Sequence, residues 1–216
     1  MFIVTIRGQL GSGAPEVGRT LADRLNGDYV DREIIEEVAG RLDRKEQEIR
    51  EKEMPPSGIL GRIAEALARG SAFGDAIPGA YLPMEQIPLG DARYLHALEA
   101  VIMDLAQGRT RPLVILGRGS NFILKQYAGA IHVLTVAPLE VRVERVMKDL
   151  GADQEAAKQE ITRFDNSLRV FTKKYFNAEL EDPVHYDLIV NTGRFSIQAS
   201  VSVIIDAITQ GEYRGN

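Results

Sequence analysis

A glycine-rich loop near the amino terminus holds the residues whose types and spacing most clearly suggest chemistry. The sequence GQLGSGAP (8–15) follows a short β-branched run and precedes a helical pattern. Gly8 and Gly13 are spaced as in the phosphate-binding pattern G-x-x-x-x-G-K-[ST]. Glycines let backbone N–H groups turn towards an anion, and the following helix start adds partial positive charge. The loop predicts a phosphate site, although a tight strand-to-helix turn would need the same glycines.

Two positions of this loop depart from the full pattern. Ala14 stands at the lysine position and Pro15 at the position of the magnesium-binding hydroxyl. Loss of the lysine without compensation lowers a phosphoryl-transfer rate by roughly 10²–10⁴. Arginines could take over its charge, because a guanidinium binds phosphate bidentately. The candidate replacements are Arg7, Arg118, Arg142, Arg145, Arg163 and Arg169.

The segment ILGRGSNF (115–122) places an arginine at the end of a predicted buried strand. Ligands of open α/β sheets bind at the carboxyl ends of the strands, and the flanking Gly117 and Gly119 permit close approach. We predict that Arg118 contacts substrate. The alternative is an arginine in an ordinary surface turn. Asp31 has a similar position after a second short strand and could hold Mg²⁺ through water.

Two further segments carry arginines on predicted helices. In EVRVERV (140–146), Arg142 and Arg145 share one helical face, and we predict that both contact the cofactor. Surface pairing, such as Arg145 with Asp149, is an equal alternative.

The segment TRFDNSLR (162–169) contains Arg163, Asp165 and Arg169, which we predict to be catalytic. A helix break near 166–167 would let both arginines aim at one point. The alternative is a simple i,i+4 pair between Asp165 and Arg169.

Apolar periodicity predicts elements that alternate between strand and helix, which is typical of a doubly wound five-stranded parallel sheet of the α/β class. Strands are predicted at 2–6, 28–30, 112–117, 130–136 and 186–192. Helices are predicted at 15–25, 32–42, 91–108, 138–150, 153–176 and 196–209. We predict one domain over 1–216, with a helical and loop insertion at about 44–90 and a lid-like helical segment at about 153–176. The insertion would contain helices at 43–53 and 59–70 and a long loop at 71–90.

Composition excludes several classes of function. The net charge of −5 argues against a general nucleic-acid binder, and the absence of cysteine excludes disulfides and thiolate metal sites. The three histidines are far apart and show no ligand spacing. No segment approaches the ~20 apolar residues that span a bilayer. These features predict a cytoplasmic protein with no membrane partner.

Six segments in order carry a resemblance to one family. They are GQLGSG (8–13), YVDREIIEEVA (29–39), VILGRGSNFIL (114–124), PLEVRVERVM (138–147), RFDNSLRVFTKKYF (163–176) and YDLIVNT (186–192). Together they resemble the cytidylate kinase-like family of P-loop nucleoside monophosphate kinases. The resemblance runs from residue 2 to about 205, and only 44–90 is poorly matched.

The resemblance implies ATP- and Mg²⁺-dependent transfer of a phosphoryl group to a nucleoside monophosphate. Cytidylate is the acceptor that it favours most. Donor phosphates would lie on the loop, whose residues are Gly8, Gln9, Leu10, Gly11, Ser12, Gly13 and Ala14. Arg118 would contact the acceptor, Asp31 would lie at the mouth of its site, and residues near 163–169 would form the lid. Asn191 and Thr192 would lie near the adenine end. Nucleotides would be the partners of a monomer or homodimer.

Two alternatives remain open at this stage. Ala14 and Pro15 favour a nucleotide-binding pseudokinase with a regulatory or partner-binding role. Gly119, which replaces an acidic residue of true cytidylate kinases, favours a small-molecule kinase with a non-nucleotide acceptor. A fold alone does not choose between them.

Overall fold

The computed structural model describes residues 2–42, 92–108 and 110–210. The predicted insertion at 44–90, with its helices at 43–53 and 59–70 and its loop at 71–90, lies outside the described residues.

Five parallel strands form a single sheet. They are β1 (Ile3–Gly8), β2 (Asp28–Val30), β3 (Leu113–Leu116), β4 (Ala130–Val136) and β5 (Leu188–Asn191). Their order is β2-β3-β1-β4-β5, and Ile3 of β1 lies between Leu113 and Ala130 in the register. The chain therefore builds the sheet outwards from β1 in both directions, which confirms the predicted doubly wound architecture.

Helices connect the strands close to the predicted positions. Within the described residues they are α1 (Ala14–Leu25), α2 (Glu33–Arg41), α3 (Ala92–Gln107), α4 (Ser120–Ile123), α5 (Leu139–Leu150), α6 (Gln154–Phe176) and α7 (Ile197–Gln210). The sequence analysis missed the single turn of α4 and a 3-10 turn at Pro183–His185. Both are too short to show an apolar period.

Helices cover both faces of the sheet, and each face has its own apolar core. On one face α1 and α7 pack on Val4 and Ile6 of β1. On the other face α2, α3 and part of α6 pack on Ile3 of β1 and Ile115 of β3. Successive residues of β1 point to opposite faces, so both faces require apolar side chains. This requirement explains the continuous apolar run that predicted β1.

The predicted break in α6 near Asn166 and Ser167 is wrong. The helix continues without interruption from Gln154 to Phe176, and the hydroxyl of Ser167 donates back to the carbonyl of Arg163 at 2.8 Å within it. Phe164 and Phe171 are almost fully buried, and Phe171 packs in the apolar core on one face of the sheet. A lid role for this segment stays a prediction.

His132 on β4 is a buried histidine whose ring lies between the sheet and the loop after α4. Its Nδ1 lies 2.8 Å from the hydroxyl of Thr5, and only 8% of the residue is exposed. Burial lowers the pKa of His132 below the ordinary 6.5, against the opposing pull of the Asp187 carboxylate. The folded protein therefore holds this imidazole neutral at a pH where the unfolded chain protonates it.

We expect the free energy of unfolding to fall as the pH drops below about 6.5, since the unfolded state then binds more protons. The loss attributable to His132 is at most about 1.4 kcal/mol per pH unit. Urea unfolding at pH 7.5 and 5.5 measures it. His132→Gln should flatten the pH dependence, whereas His96→Gln, at a side chain that is 79% exposed, should not. Equal slopes in wild type and His132→Gln would contradict the assignment.

Candidate functional site

Three predicted groups lie at one edge of the sheet. The glycine-rich loop leaves the end of β1, Arg118 follows β3 by two residues, and Asp31 directly follows β2. Because β2, β3 and β1 are adjacent and parallel, their carboxyl ends meet at the same edge. Open α/β sheets bind ligands there. The tertiary structure thus assembles the loop, Arg118 and Asp31 into one candidate site.

The loop has the backbone geometry of an anion cradle. Gly11 and Gly13 adopt φ of +77° and +75°, a region that favours glycine, and Gly13 caps the start of α1. Within the described residues, the N–H groups of Gly11, Gly13 and Ala14 have no hydrogen-bond acceptor. These donors at a helix amino terminus can bind phosphate oxygens.

The carbonyl groups of the same loop are held away from that cradle. The carbonyl oxygens of residues 10–12 all accept hydrogen bonds from side chains of α5 or of the segment after β5. The donors, in order, are Arg142 Nη1 (3.3 Å), Arg145 Nη1 (3.1 Å) and Thr192 Oγ1 (2.6 Å). A peptide unit whose carbonyl is fixed outwards directs its N–H the other way, so these bonds preorganise the loop for an anion.

Asp165 of α6 completes this arrangement. Its Oδ2 accepts from Arg142 Nη1 at 2.7 Å, and its Oδ1 accepts from the N–H of Leu10 at 3.2 Å. Both charged side chains are buried. We call Arg142, Arg145, Asp165 and Thr192 the loop clamp. Asp165 pairs with Arg142, so the alternative pairing with Arg169 is wrong. Contact of Arg142 and Arg145 with ATP and a catalytic role of Asp165 stay predictions.

Arg163 and Arg169 do not converge on a common point. They lie six residues apart on an unbroken helix and therefore point about 120° apart around its axis. Arg163 pairs with the buried Glu160 at 2.7 Å, and Arg169 pairs with Glu181 at 2.6 Å. The expectation that a helix break would aim both at one phosphate is wrong. A catalytic role for either arginine alone stays a prediction.

Arg7 also contacts protein rather than the loop. Its side chain is buried on the sheet face opposite α1, where Nη2 donates to the hydroxyl of Thr172 at 3.1 Å. Protein acceptors bind the side chains of most arginines proposed as substitutes for the loop lysine, namely Arg7, Arg142, Arg145, Arg163 and Arg169. The remaining proposed substitute, Arg118, lies near Asp31 at the carboxyl edge of the sheet.

Arg118 has a strained backbone in a buried turn. Its φ is +57°, between Gly117 at +66° and Gly119 at +69°. The left-handed region costs a residue with a side chain about 1–2 kcal/mol, and such strain clusters at functional sites. The N–H of Gly117 donates to the carbonyl of Ile6 at 2.8 Å and fixes the turn on β1. Since only 8% of Arg118 is exposed, it is not an arginine in an ordinary surface turn.

Asp31 is a buried carboxylate surrounded by guanidinium groups. Only 7% of the residue is exposed, and burial raises the pKa of its carboxyl group. The positive charge of Arg118 opposes this rise, followed by the charges of Arg32 and Arg19. A carboxylate of this kind can orient the arginines in the absence of a phosphate ligand.

Aromatic side chains fill the space beside Gly119. The rings of Phe122 and Phe176 stack with centroids 4.8 Å apart, and Phe171 contacts Phe176 edge-on at 5.7 Å. A Cβ atom at Gly119 would lie 2.5 Å from the Phe176 ring. The sequence analysis missed Phe176, because no local pattern connects it with a turn more than fifty residues earlier. A side chain at position 119 therefore requires the Phe176 ring to move.

We expect Gly119→Asp to lower the free energy of unfolding by about 2–4 kcal/mol, from the left-handed backbone and from the clash with Phe176. Chemical denaturation measures this loss. Adding Phe176→Ala should recover the part of the lost stability that comes from the clash with the Phe176 ring. Gly40→Ala is the control, since no described atom lies within 4 Å of the added Cβ. Full stability of Gly119→Asp would show that Phe176 moves freely.

In the part of the chain that the structure describes, no group of three or more His, Cys, Asp or Glu side chains could hold a metal ion by itself. None of the described helices has both the length and the apolar character needed to cross a bilayer.

Comparisons with known proteins place the chain in a family. The model of the cytidylate kinase-like family matches residues 3–194. Cytidylate kinase from Haloarcula marismortui is 27% identical over 96% of this chain and 89% of its own length. A uronate isomerase from Corynebacterium glutamicum is 29% identical over 43% of this chain, but the match spans only 18% of that protein.

Solved structures show the same fold at low identity. An uncharacterized protein from Eubacterium ventriosum superposes with a TM-score of 0.68 at 19% identity, over 96% of this chain and 98% of the other. Shikimate kinase from Acinetobacter baumannii superposes with a TM-score of 0.52 at 15% identity, over 99% and 96%. The chain therefore belongs to the cytidylate kinase-like family, and it is a nucleotide-binding kinase.

Proposed function

We propose that this chain transfers the γ-phosphoryl group of ATP to a nucleoside monophosphate, with CMP or dCMP as the first acceptor. The observation that carries the proposal is the juxtaposition of a preorganised phosphate loop with Arg118 and Asp31 on adjacent strand ends. Relatives named cytidylate kinase that match over most of their length support this acceptor class.

The two halves of the site have different tasks in this proposal. The N–H groups of Gly11, Gly13 and Ala14 bind donor phosphates, while the loop clamp keeps the loop carbonyls away from them. Arg118 binds the phosphate of the acceptor and holds its oxygen in line with the γ-phosphorus. Phosphoryl transfer depends mainly on such positioning and on charge neutralisation.

The described part of the site offers few side-chain ligands for a metal ion. Mg²⁺ fits there only when it binds together with ATP. Pro15 has no hydroxyl, and the hydroxyl of Ser12 lies 2.8 Å from that of Thr135. Mg²⁺ commonly keeps several waters and uses one or two carboxylates besides substrate phosphates. Asp31 would hold it through water, and the ion would neutralise charge on the phosphate oxygens.

The test is ADP release by the purified protein with ATP and Mg²⁺ against CMP, dCMP, UMP, AMP and GMP. ATP without acceptor and ATP with cytidine are the controls. Thermal unfolding of the same samples shows whether the protein is folded and binds ligand. The proposal expects turnover with at least one monophosphate and none with cytidine. Folded protein that turns over no monophosphate would contradict it.

A pseudokinase is the second candidate, because Ala14 is fully buried and offers no charge to the loop. It predicts stabilisation by ATP without release of ADP. A kinase with a non-nucleotide acceptor is favoured by the aromatic group beside Gly119. That function predicts ADP release with small hydroxyl compounds and none with the monophosphates.

A further inference from the structure

We propose that Arg19 on α1 binds the phosphate of the acceptor opposite Arg118, on the other side of Asp31. It would thereby supply a cation to a site whose loop has no lysine. This inference rests on the proposed function in one respect, namely that the acceptor carries a phosphate.

The course of α1 brings Arg19 towards the site. Because β1 and β2 are parallel, the helix that connects them runs in the opposite direction and begins at the carboxyl edge of the sheet. Arg19 lies four residues after Pro15, so both lie on one face of the first turns. Side chains on a helix lean towards its amino terminus, which directs Arg19 back to the edge.

The guanidinium of Arg19, an exposed residue, lies over the ring of Tyr29. Arg19 Cζ lies 5.4 Å from the centroid of the Tyr29 ring, in a cation–π contact. The helix approaches β2 closely at this level, since a Cβ at Gly18 would lie 2.8 Å from Cε2 of Tyr29. Asp31 follows Tyr29 by two residues, about 7 Å further along the strand.

The charges around Asp31 favour an added anion. The guanidinium groups of Arg118, Arg32 and Arg19 are near enough to Asp31 to lower its pKa, while Glu33 raises it. Positive groups therefore outnumber carboxylates around Asp31. Within the described residues, Arg19 has no salt bridge, and its guanidinium makes a cation–π contact with the ring of Tyr29. By contrast, Arg24 on the same helix donates to the hydroxyl of Ser202 at 2.8 Å.

The experiment compares Arg19→Gln and Arg19→Lys with Arg24→Gln as the matched control. Steady-state kinetics give KM for the accepted monophosphate and for ATP separately. Calorimetry gives the affinities for CMP and for cytidine, whose ratio reports binding of the phosphate. For Arg19→Gln we expect the KM for the acceptor to rise about 10- to 100-fold and the KM for ATP to stay unchanged. This rise is the effect of losing one charge-assisted hydrogen bond to the acceptor phosphate. Arg19→Lys should recover part of the loss, and Arg24→Gln should behave as wild type.

The two proposals fail in different ways. If wild-type protein turns over no monophosphate, the proposed function fails, and calorimetry decides the role of Arg19. A preference for CMP over cytidine that Arg19→Gln abolishes would then still support the inference. An acceptor KM and a CMP affinity equal to those of Arg24→Gln would overturn it. So would wild-type protein that binds CMP no better than cytidine, since no phosphate is then held at this edge.

Discussion

Replacing Arg118 by alanine is expected to lower turnover about 100- to 1000-fold while the protein stays folded. This is the usual cost of removing one preorganised group that stabilises charge in the transition state. The side chain is buried beside Asp31, and its backbone is held in a left-handed conformation between two glycines. Alanine keeps the same backbone strain, so the change removes only the guanidinium and its contacts.

The variant Arg118→Lys separates the effect of the positive charge from that of bidentate phosphate binding. Lysine keeps the charge but cannot bind phosphate bidentately, so it should recover only part of the lost turnover. Arg111→Ala is the control near the opposite end of β3, where Arg111 donates to the carbonyl of Asn26 at 2.8 Å. Initial rates of ADP release measure all three variants. Wild-type turnover in Arg118→Ala would exclude this residue from the candidate site.

Replacing Asp165 by alanine is expected to lower the free energy of unfolding by about 3–5 kcal/mol. The change leaves the buried guanidinium of Arg142 without its counter-charge and the N–H of Leu10 without its acceptor. For a domain of this size the loss corresponds to a fall in Tm of roughly 6–20 °C. ATP affinity should fall as well, because Asp165 no longer holds the N–H of Leu10 or the Arg142 side chain that fixes the Leu10 carbonyl.

An exposed ion pair with one partner on the same helix provides the control. Arg169 and Glu181 form a salt bridge of similar length, but their side chains are 45% and 42% exposed. Glu181→Ala should therefore cost less than about 1 kcal/mol. The double variant Arg142→Met with Asp165→Leu should recover much of the stability but not the ATP affinity, since it restores packing without the hydrogen bonds to the loop. Equal losses from Asp165→Ala and Glu181→Ala would contradict the loop clamp.

The amino-acid sequence by itself determined the elements and the edge of the sheet where the site lies. Apolar periodicity and glycine positions are local signals, and they placed β2 and β4 at the observed residues. The loop and Asp31 directly follow a strand, and Arg118 comes two residues after one. Their meeting at one edge then follows from the parallel sheet alone, without knowledge of any side-chain contact.

Only the tertiary structure decided which side chains meet. Asp165 pairs with Arg142 of another helix rather than with its own i,i+4 neighbour, and Phe176 occupies the space beside Gly119. Arg19, which carried no local signal of function, lies over the ring of Tyr29 on a neighbouring strand. Sequence spacing describes neighbours within one helix or strand. Contacts between elements depend on the strand order and on how the helices pack across the sheet, and no local pattern contains that information.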